Sequence, residues 1–449
     1  MKEYKELLNN ALAYSEDYFD HLEEQPVFPT PESLALLDHF DVPLKEQGMP
    51  ATEVLAQLHD YGSPNTVASN GSRYFGFVTG GTYPIGQAAK WLGTTWDQNS
   101  ALYVMSPIVS KLEEVSQQWL IDLLELKTST GVGFLSGSSE ATLCGLLAAR
   151  NTLLKRKGYD VVKEGLINCP PIKVIMSEEI HGSVWKALNF LGIGQKNVTL
   201  VPTNENGSIK IENFPEIDDS TIVVIQAGNI NSGSFDPIGP IAEKVHQSRG
   251  WLHVDGAIGL WARASEEKRF LVEGLEEADS MSASGHKLLN LPYDCGLLFC
   301  SHKQEMIDAL QVAGDYLQFD PEKRDNIKYT LEMSRRSRVI ELWATLNYLG
   351  KQGVAALVDQ LCENARYFAE KLTAQGAHIL NEIDFNQVLF TLESEEETAE
   401  LLEKIQTSGL FWCSGTTWQG KKAIRLSVSS WKITQEDIDQ CLAFIQANK

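Results

Sequence analysis

Lys287 and Asp255 are the two residues of this chain whose types and surroundings could together do covalent chemistry. Lys287 follows Ser-Gly-His in the stretch Ala278 to Phe299, ADSMSASGHKLLNLPYDCGLLF, and precedes an apolar run and a turn-forming Pro-Tyr-Asp-Cys-Gly. Asp255 closes an apolar strand in WLHVDGAIG, Trp251 to Gly259. A strand-end amine can condense with an aldehyde, and a strand-end carboxylate can keep a pyridine nitrogen protonated as an electron sink. That pair is what pyridoxal phosphate chemistry needs. Taken alone, Lys287 reads as a solvated loop lysine, as most lysines are, so the case rests on the elements that would position it.

Those elements begin at Gly131. Short apolar strands, VGFLSG, KVIMS, NVTLVPT, TIVVIQAG, WLHVDG, DSMSAS and GLLFCS, alternate with helical or loop segments. Alternation of this kind predicts a mainly parallel sheet covered by helices, with ligands at the carboxyl ends of the strands. The polar residues stand at those ends. Ser136-Gly137-Ser138-Ser139-Glu140 joins a strand to a helix start and offers N–H groups and hydroxyls to an anion. An ordinary N-cap uses the same residue types, and the P-loop lysine and GxGxxG spacing are absent. His181 follows the next strand, where an imidazole could stack on a flat ring, although a lone histidine is more often structural. Asn229 lies in a polar loop after a buried strand.

Upstream, the first seventy residues read as helices with short breaks. Thr30-Pro31-Glu32 is a helix start, and Leu34, Leu36, Leu37 and Phe40 give that helix an apolar face. Such an arm is too small for its own core and is expected to pack on something larger, a partner subunit included. SRYFGFVTGGTYPIG, at Ser72 to Gly86, places rings beside glycines and suits either close backbone approach to a ligand or a buried connector. Ser106-Pro107 starts a helix with Ile108, Leu112, Val115, Trp119, Leu120 and Leu123 at core spacing.

Composition narrows the classes. The 449 residues carry a net charge of −22, which disfavours nucleic acid and anionic membrane partners. Seven scattered cysteines without CxxC or Cys/His clusters fit a reducing, cytoplasmic setting and give no metal site. No apolar stretch approaches a bilayer span.

The order of Gly/Ser turn, His, Asp and Lys, with HVDGA, SGHKLLNLPYDCG, FGFVTGG, SRRSRVIELWATL and IRLSVSSW, resembles the pyridoxal-phosphate-dependent group II amino acid decarboxylases from about Pro26 to the C-terminus. That family includes aromatic amino acid, glutamate, histidine and diaminobutyrate decarboxylases. The resemblance implies the α/β fold type I of pyridoxal-phosphate transferases, the aspartate-aminotransferase-like fold. It divides the chain into an N-terminal helical arm (1–70), a large cofactor-binding domain (71–338) and a small C-terminal α+β domain (339–449).

The resemblance further implies pyridoxal 5′-phosphate as cofactor, a homodimer, and an L-amino acid as substrate, converted to the primary amine and carbon dioxide. Lys287 would be the Schiff-base lysine, with His286, Ser284, Ser138 and Ser139 at the phosphate. His181 would stack on the ring, Asp255 pair with its nitrogen, Ala257 pack behind it, and Asn229 stand near O3′, where relatives often carry Thr. Phe77, Thr79, Gln98 and Asn99, with Tyr103, would line the substrate pocket. A loop tyrosine, Tyr329 in preference to Tyr316, would protonate Cα. Aldehyde-forming oxidative deamination, transamination, or cofactor binding without turnover remain the alternatives.

Overall fold

The computed structural model describes residues 2–449 except 312, 313, 315, 316, 318 and 320. All seven expected strands form, as β1 Gly131–Leu135, β2 Lys173–Ser177, β3 Val198–Val201, β4 Thr221–Gln226, β5 Trp251–Asp255, β6 Ser280–Ser284 and β7 Gly296–Cys300. They make one sheet in the order β1-β7-β6-β5-β4-β2-β3. β2 to β6 are mutually parallel wherever they pair. β7 runs antiparallel to both β6 and β1. The reason lies in chain length. Residues 285–295 are too few for a crossover helix, so the chain must turn straight back. That turn carries Lys287.

β1 and β4 to β7 are buried throughout, as strands covered on both faces must be. Gly145 of helix Ser138–Arg156 sits so close to β5 that a Cβ there would lie 2.8 Å from the His253 ring. Because β1 registers against β7 and β7 against β6, Leu135 and Ser284 both pair with Gly296. The ends of β1, β5 and β6 therefore share one sheet edge.

A second, antiparallel sheet takes β8 His378–Ile379, β9 Gln387–Thr391, β10 Ser414–Trp418 and β11 Lys421–Ser427 in the order β10-β11-β9-β8. The segment 73–75 also joins it, since Phe75 N donates to Trp412 O (2.8 Å) and Ser427 N to Phe75 O (2.9 Å). Helix Val339–Ala374 leads into this unit and breaks at Gly350, whose φ is 60°.

Two expectations change. Helix Pro107–Leu123 forms with Leu120 and Leu123 buried as expected, but its buried face also takes Val109, Ser110, Glu113 and Ser116, while Ile108 is 44% exposed. The turn is set by charge: Glu113 is sealed in the core between Arg335 (2.7 Å) and Arg324 (3.2 Å), and a buried carboxylate with two guanidiniums overrides an apolar stripe. The Thr30 cap accepts from Ser33 N as expected. Its helix, however, lasts one turn before tightening to 3₁₀ over Ala35–Phe40, with Leu34, Leu37 and Phe40 exposed.

Candidate active site

The sheet edge gathers the expected residues. Lys287 sits in the β6–β7 turn, half-exposed by area yet hemmed by protein. Desolvation pushes its amine below the ordinary lysine pKa, Asp255 pulls it back up, and Arg425 pushes it down again. An amine so placed is more often neutral, the form that attacks an aldehyde.

Asp255 is buried at the end of β5. Its Oδ1 accepts from Ala257 N (3.2 Å) and from Ser282 Oγ (3.4 Å), which is itself held by Thr142 Oγ1 at 2.9 Å. Oδ2 has no hydrogen bond among the described residues, so one oxygen is anchored and the other remains for a cation such as a protonated ring nitrogen. His181 caps helix Gly182–Phe190: its Nδ1 accepts from Ser183 N at 3.2 Å. The structural reading of this histidine is thus realised, yet its ring is exposed on the site side. Desolvation lowers its pKa, Asp255 raises it, and Lys287 and Arg425 lower it. With Nδ1 accepting, the proton of the neutral ring sits on Nε2.

The anion cup is at the start of helix Ser138–Arg156. Gly137 there is extended and supplies no side-chain cap, leaving first-turn N–H groups open. Ser138 is half-buried and Ser139 exposed, with no hydrogen bond to either hydroxyl among the described residues. A Cβ on Gly296 would strike the Gly137 backbone at 2.3 Å, so glycine at 296 admits the helix start to the edge. His286 closes the cup, its Cε1 3.8 Å from where a Gly137 Cβ would stand. Cys295 N donates to its Nδ1 (3.0 Å), so Nε2 carries the proton toward Ser284 Oγ (2.9 Å). Burial, seconded by Lys287, lowers its pKa to about 4, which makes it a neutral donor. An uncapped helix start, two free hydroxyls, an amine and a half-anchored carboxylate fit a phosphorylated pyridine aldehyde.

Other expected residues behave differently. Asn229 is buried and shapes its own loop: Oδ1 accepts from Asn231 N (2.8 Å) and Ser232 N, and Nδ2 donates to Glu179 O. One Nδ2 hydrogen is left for a ligand. Phe77 is 60% exposed, at φ 53°, and stacks on Trp412 at 5.4 Å. Thr79 lies beside Tyr293, whose pKa burial raises and Thr79 draws partly back. Gln98 and Asn99 instead line a separate open hollow with Ser334 and Arg336, Asn99 donating to Ser334 Oγ at 3.2 Å. Tyr329 is buried in the core beside β1, with the Arg324 guanidinium 3.9 Å above its ring. A ring so covered is not set to deliver a proton at this edge. Tyr316 lies outside the described residues.

Two residues of the site lie inside quoted motifs, SGHKLLNLPYDCG and IRLSVSSW, but are not singled out by the sequence reading. Arg425 of β11 is buried, donates to Ser414 Oγ and Ile230 O, and is felt electrostatically by both Lys287 and His181. Asn290 ties the lysine turn to two other segments. Their motifs mark the segments, but not these two side chains, because the contacts that give each its place come from distant segments.

The chain matches the family described as the pyridoxal-dependent decarboxylase conserved domain over residues 34–393. Tyrosine decarboxylase 2 of Arabidopsis thaliana is 25% identical over 96% of this chain and 84% of its own. The mouse acidic amino acid decarboxylase GADL1 is 26% identical over 91% and 78%. A 4-hydroxyphenylacetaldehyde synthase of Rhodiola rosea is 27% identical over 79% and 75%. In three dimensions the chain is similar to Oryza sativa TDC with PLP and tryptamine (TM-score 0.93, 22% identity, 100% and 98% covered). Mouse CSAD gives 0.89 and 22%, covering 99% and 98%. These likenesses establish the fold type I architecture. The chain belongs to the pyridoxal-dependent decarboxylase family and is a pyridoxal-phosphate-dependent amino acid decarboxylase.

Proposed function

We propose that this enzyme converts an L-amino acid to its primary amine and carbon dioxide, with Lys287 as the residue that holds the cofactor. The observation that carries this reading is one desolvated amine, with its pKa lowered, at the same sheet edge as the half-anchored Asp255 carboxylate and the uncapped helix start. Bound there, pyridoxal phosphate supplies the electron sink for the pair left behind when the carboxylate departs. The chain's own residues do the rest. The first-turn N–H groups, Ser138 and Ser139 would hold the phosphate, with the Ser284 hydroxyl, itself held by the Nε2–H of His286, beside them. Asp255, anchored at Oδ1, would keep the ring nitrogen protonated through its open oxygen. His181, fixed at Nδ1 by Ser183 N–H, covers the ring from the open side and limits how the substrate can turn. Arg425, a buried cation whose charge reaches the amine, would bind the substrate carboxylate until it leaves. Trp412, Phe77 and Tyr74 form a stacked aromatic wall beside it.

We propose Tyr316 as the donor of the proton at Cα, since Tyr329 is held under Arg324. We also propose a homodimer. Tyr4, Leu8, Leu12 and Phe19 of helix Lys2–His21 are 61%, 51%, 43% and 42% exposed, an apolar face that a second subunit would cover. Seven free cysteines support a reducing compartment, and among the described residues no helix is long and apolar enough to cross a membrane.

A product assay tests the reaction. Holoenzyme is offered a panel of aromatic and acidic L-amino acids, the classes named by its relatives, with amine, carbon dioxide, aldehyde and keto acid measured together. Amine and carbon dioxide in equal amounts from one substrate is the expected result. Aldehyde with ammonia would establish the oxidative reaction, as the name of the Rhodiola relative describes. Keto acid without carbon dioxide would establish transamination.

A further inference from the structure

Asn290 lies three residues after Lys287 and is fully buried with a left-handed backbone, φ 54°. Its side chain joins three segments that are distant in sequence. Oδ1 accepts from Gly81 N (2.8 Å) in the glycine-rich stretch and from Trp431 N (2.9 Å) beyond β11. Nδ2 lies 2.8 Å from Leu288 O, 3.0 Å from Ser429 O and 3.3 Å from Lys287 O. Its main chain adds to the same knot: Asn290 N donates to Lys287 O (3.1 Å) and Tyr83 N to Asn290 O (3.2 Å). Trp431 Nε1 donates to Thr82 O at 3.2 Å, and the Trp431 ring stacks on Tyr83 at 4.8 Å. The glycines are required by this approach. A Cβ on Gly80 would lie 2.0 Å from Lys287 O, and one on Gly81 would lie 2.6 Å from Ser430 Oγ.

We infer that Asn290 is a positioning residue: it couples the placement of the C-terminal unit and of the 77–83 stretch to the backbone of Lys287. The inference rests on the reading of Lys287 as the cofactor-holding lysine. That side chain must leave and return to one carbon in every turnover, so its backbone has to stay fixed; a misplacement of about 1 Å can cost on the order of 10²-fold in rate. A non-glycine residue at positive φ persists where the surroundings over-determine it, and here both ends of one amide do so. An aliphatic residue of equal size would leave the Gly81 and Trp431 N–H groups and the Ser429 carbonyl buried without partners.

The test compares holoenzyme variants. Asn290→Gly keeps the positive φ and removes the amide. Asn364→Ala is the structural control, because Asn364 is a buried asparagine of the C-terminal unit whose side chain, among the described residues, hydrogen-bonds Ile433 O alone, at 2.8 Å. Both should melt at lower temperature. Only Asn290→Gly should lower kcat, by about tenfold or more with KM changed less than kcat, shift the pH midpoint of the bound cofactor's visible absorbance, and speed cofactor loss. Asn290→Asp, protonated among three carbonyls, keeps the acceptor and one donor and should fall between. Parental kcat and an unmoved absorbance midpoint in Asn290→Gly would reduce Asn290 to a structural residue. Should that variant not fold, amide exchange of the parent protein decides: cofactor binding should slow Gly81 and Trp431 N–H together, and no change on loading would overturn the inference. Lys287→Ala runs alongside, since borohydride-reducible covalent attachment of the cofactor that survives in it would overturn the reading of the lysine and not that of Asn290.

Discussion

The lysine edge and the N-terminal arm are built on opposite principles. At the edge, the side chains are anchored by hydrogen bonds that leave other polar atoms open toward a ligand. Asp255 is held at Oδ1, His286 at both nitrogens, His181 at Nδ1, and the lysine turn by Asn290. In the arm, helix Lys2–His21 presents tyrosine, leucine and phenylalanine to solvent, and Leu34, Leu37, Phe40 and Leu44 follow suit. The residues proposed to hold the cofactor are thus brought together by hydrogen bonds within one chain. The arm, like exposed Phe77, has the surface of something waiting for cover. Chemistry needs fixed charges and is secured by intramolecular hydrogen bonds. Assembly needs apolar area, which stays exposed until a partner arrives.

This contrast can be broken in graded steps. Lys287→Ala should abolish amine formation, by about 10³-fold or more, with the fold unchanged by circular dichroism. Residual turnover at a tenth of the parent would mean that the edge does not depend on its lysine. Asp255→Asn should cost on the order of 10²-fold in kcat while the phosphate cup keeps the cofactor, measured as kcat beside cofactor affinity. Tyr316→Phe should lower amine yield by a similar factor and shift product toward aldehyde. Tyr329→Phe should change stability and leave the product ratio alone; the reverse outcome would return the proton to Tyr329.

The pH dependence tests the electrostatics of the edge. Desolvation is the first cause of the low Lys287 pKa, with Asp255 opposing it and Arg425 adding to it. Cofactor reloading into apoenzyme needs the neutral amine, so Arg425→Met should move the reloading midpoint to higher pH. Asp255→Asn should move it lower. Each shift should be within about one unit, and equal directions would refute the assignment. The smallest effect at the edge belongs to the arm. Leu8→Glu with Leu12→Glu should shift sedimentation toward monomer while single-chain cofactor binding persists; an unchanged assembly would remove the arm from the interface.

Much of this architecture is legible in the chain's own residues. The seven strands and the positions of Lys287, Asp255, His181, Ser138 and His286 at their ends follow from apolar runs broken by polar turns, and such runs are local. Helix Pro107–Leu123 is legible as a helix with Leu120 and Leu123 inward, but the burial of Glu113 is not, because Arg324 and Arg335 reach it from far along the chain. The same limit hides Arg425, a strand residue whose role depends on a sheet that only the tertiary fold brings to the edge. It also hides Asn290, whose three partners come from positions 81, 429 and 431. Sequence by itself determined the family, the layered α/β architecture and the residue types at the strand ends, since period and turn chemistry act over a few residues. The tertiary structure decided which oxygen of Asp255 stays open, which nitrogen of each histidine carries the proton, and which distant amide holds the lysine in place. Those are facts of hydrogen-bond geometry between segments, and geometry between segments exists only once they meet.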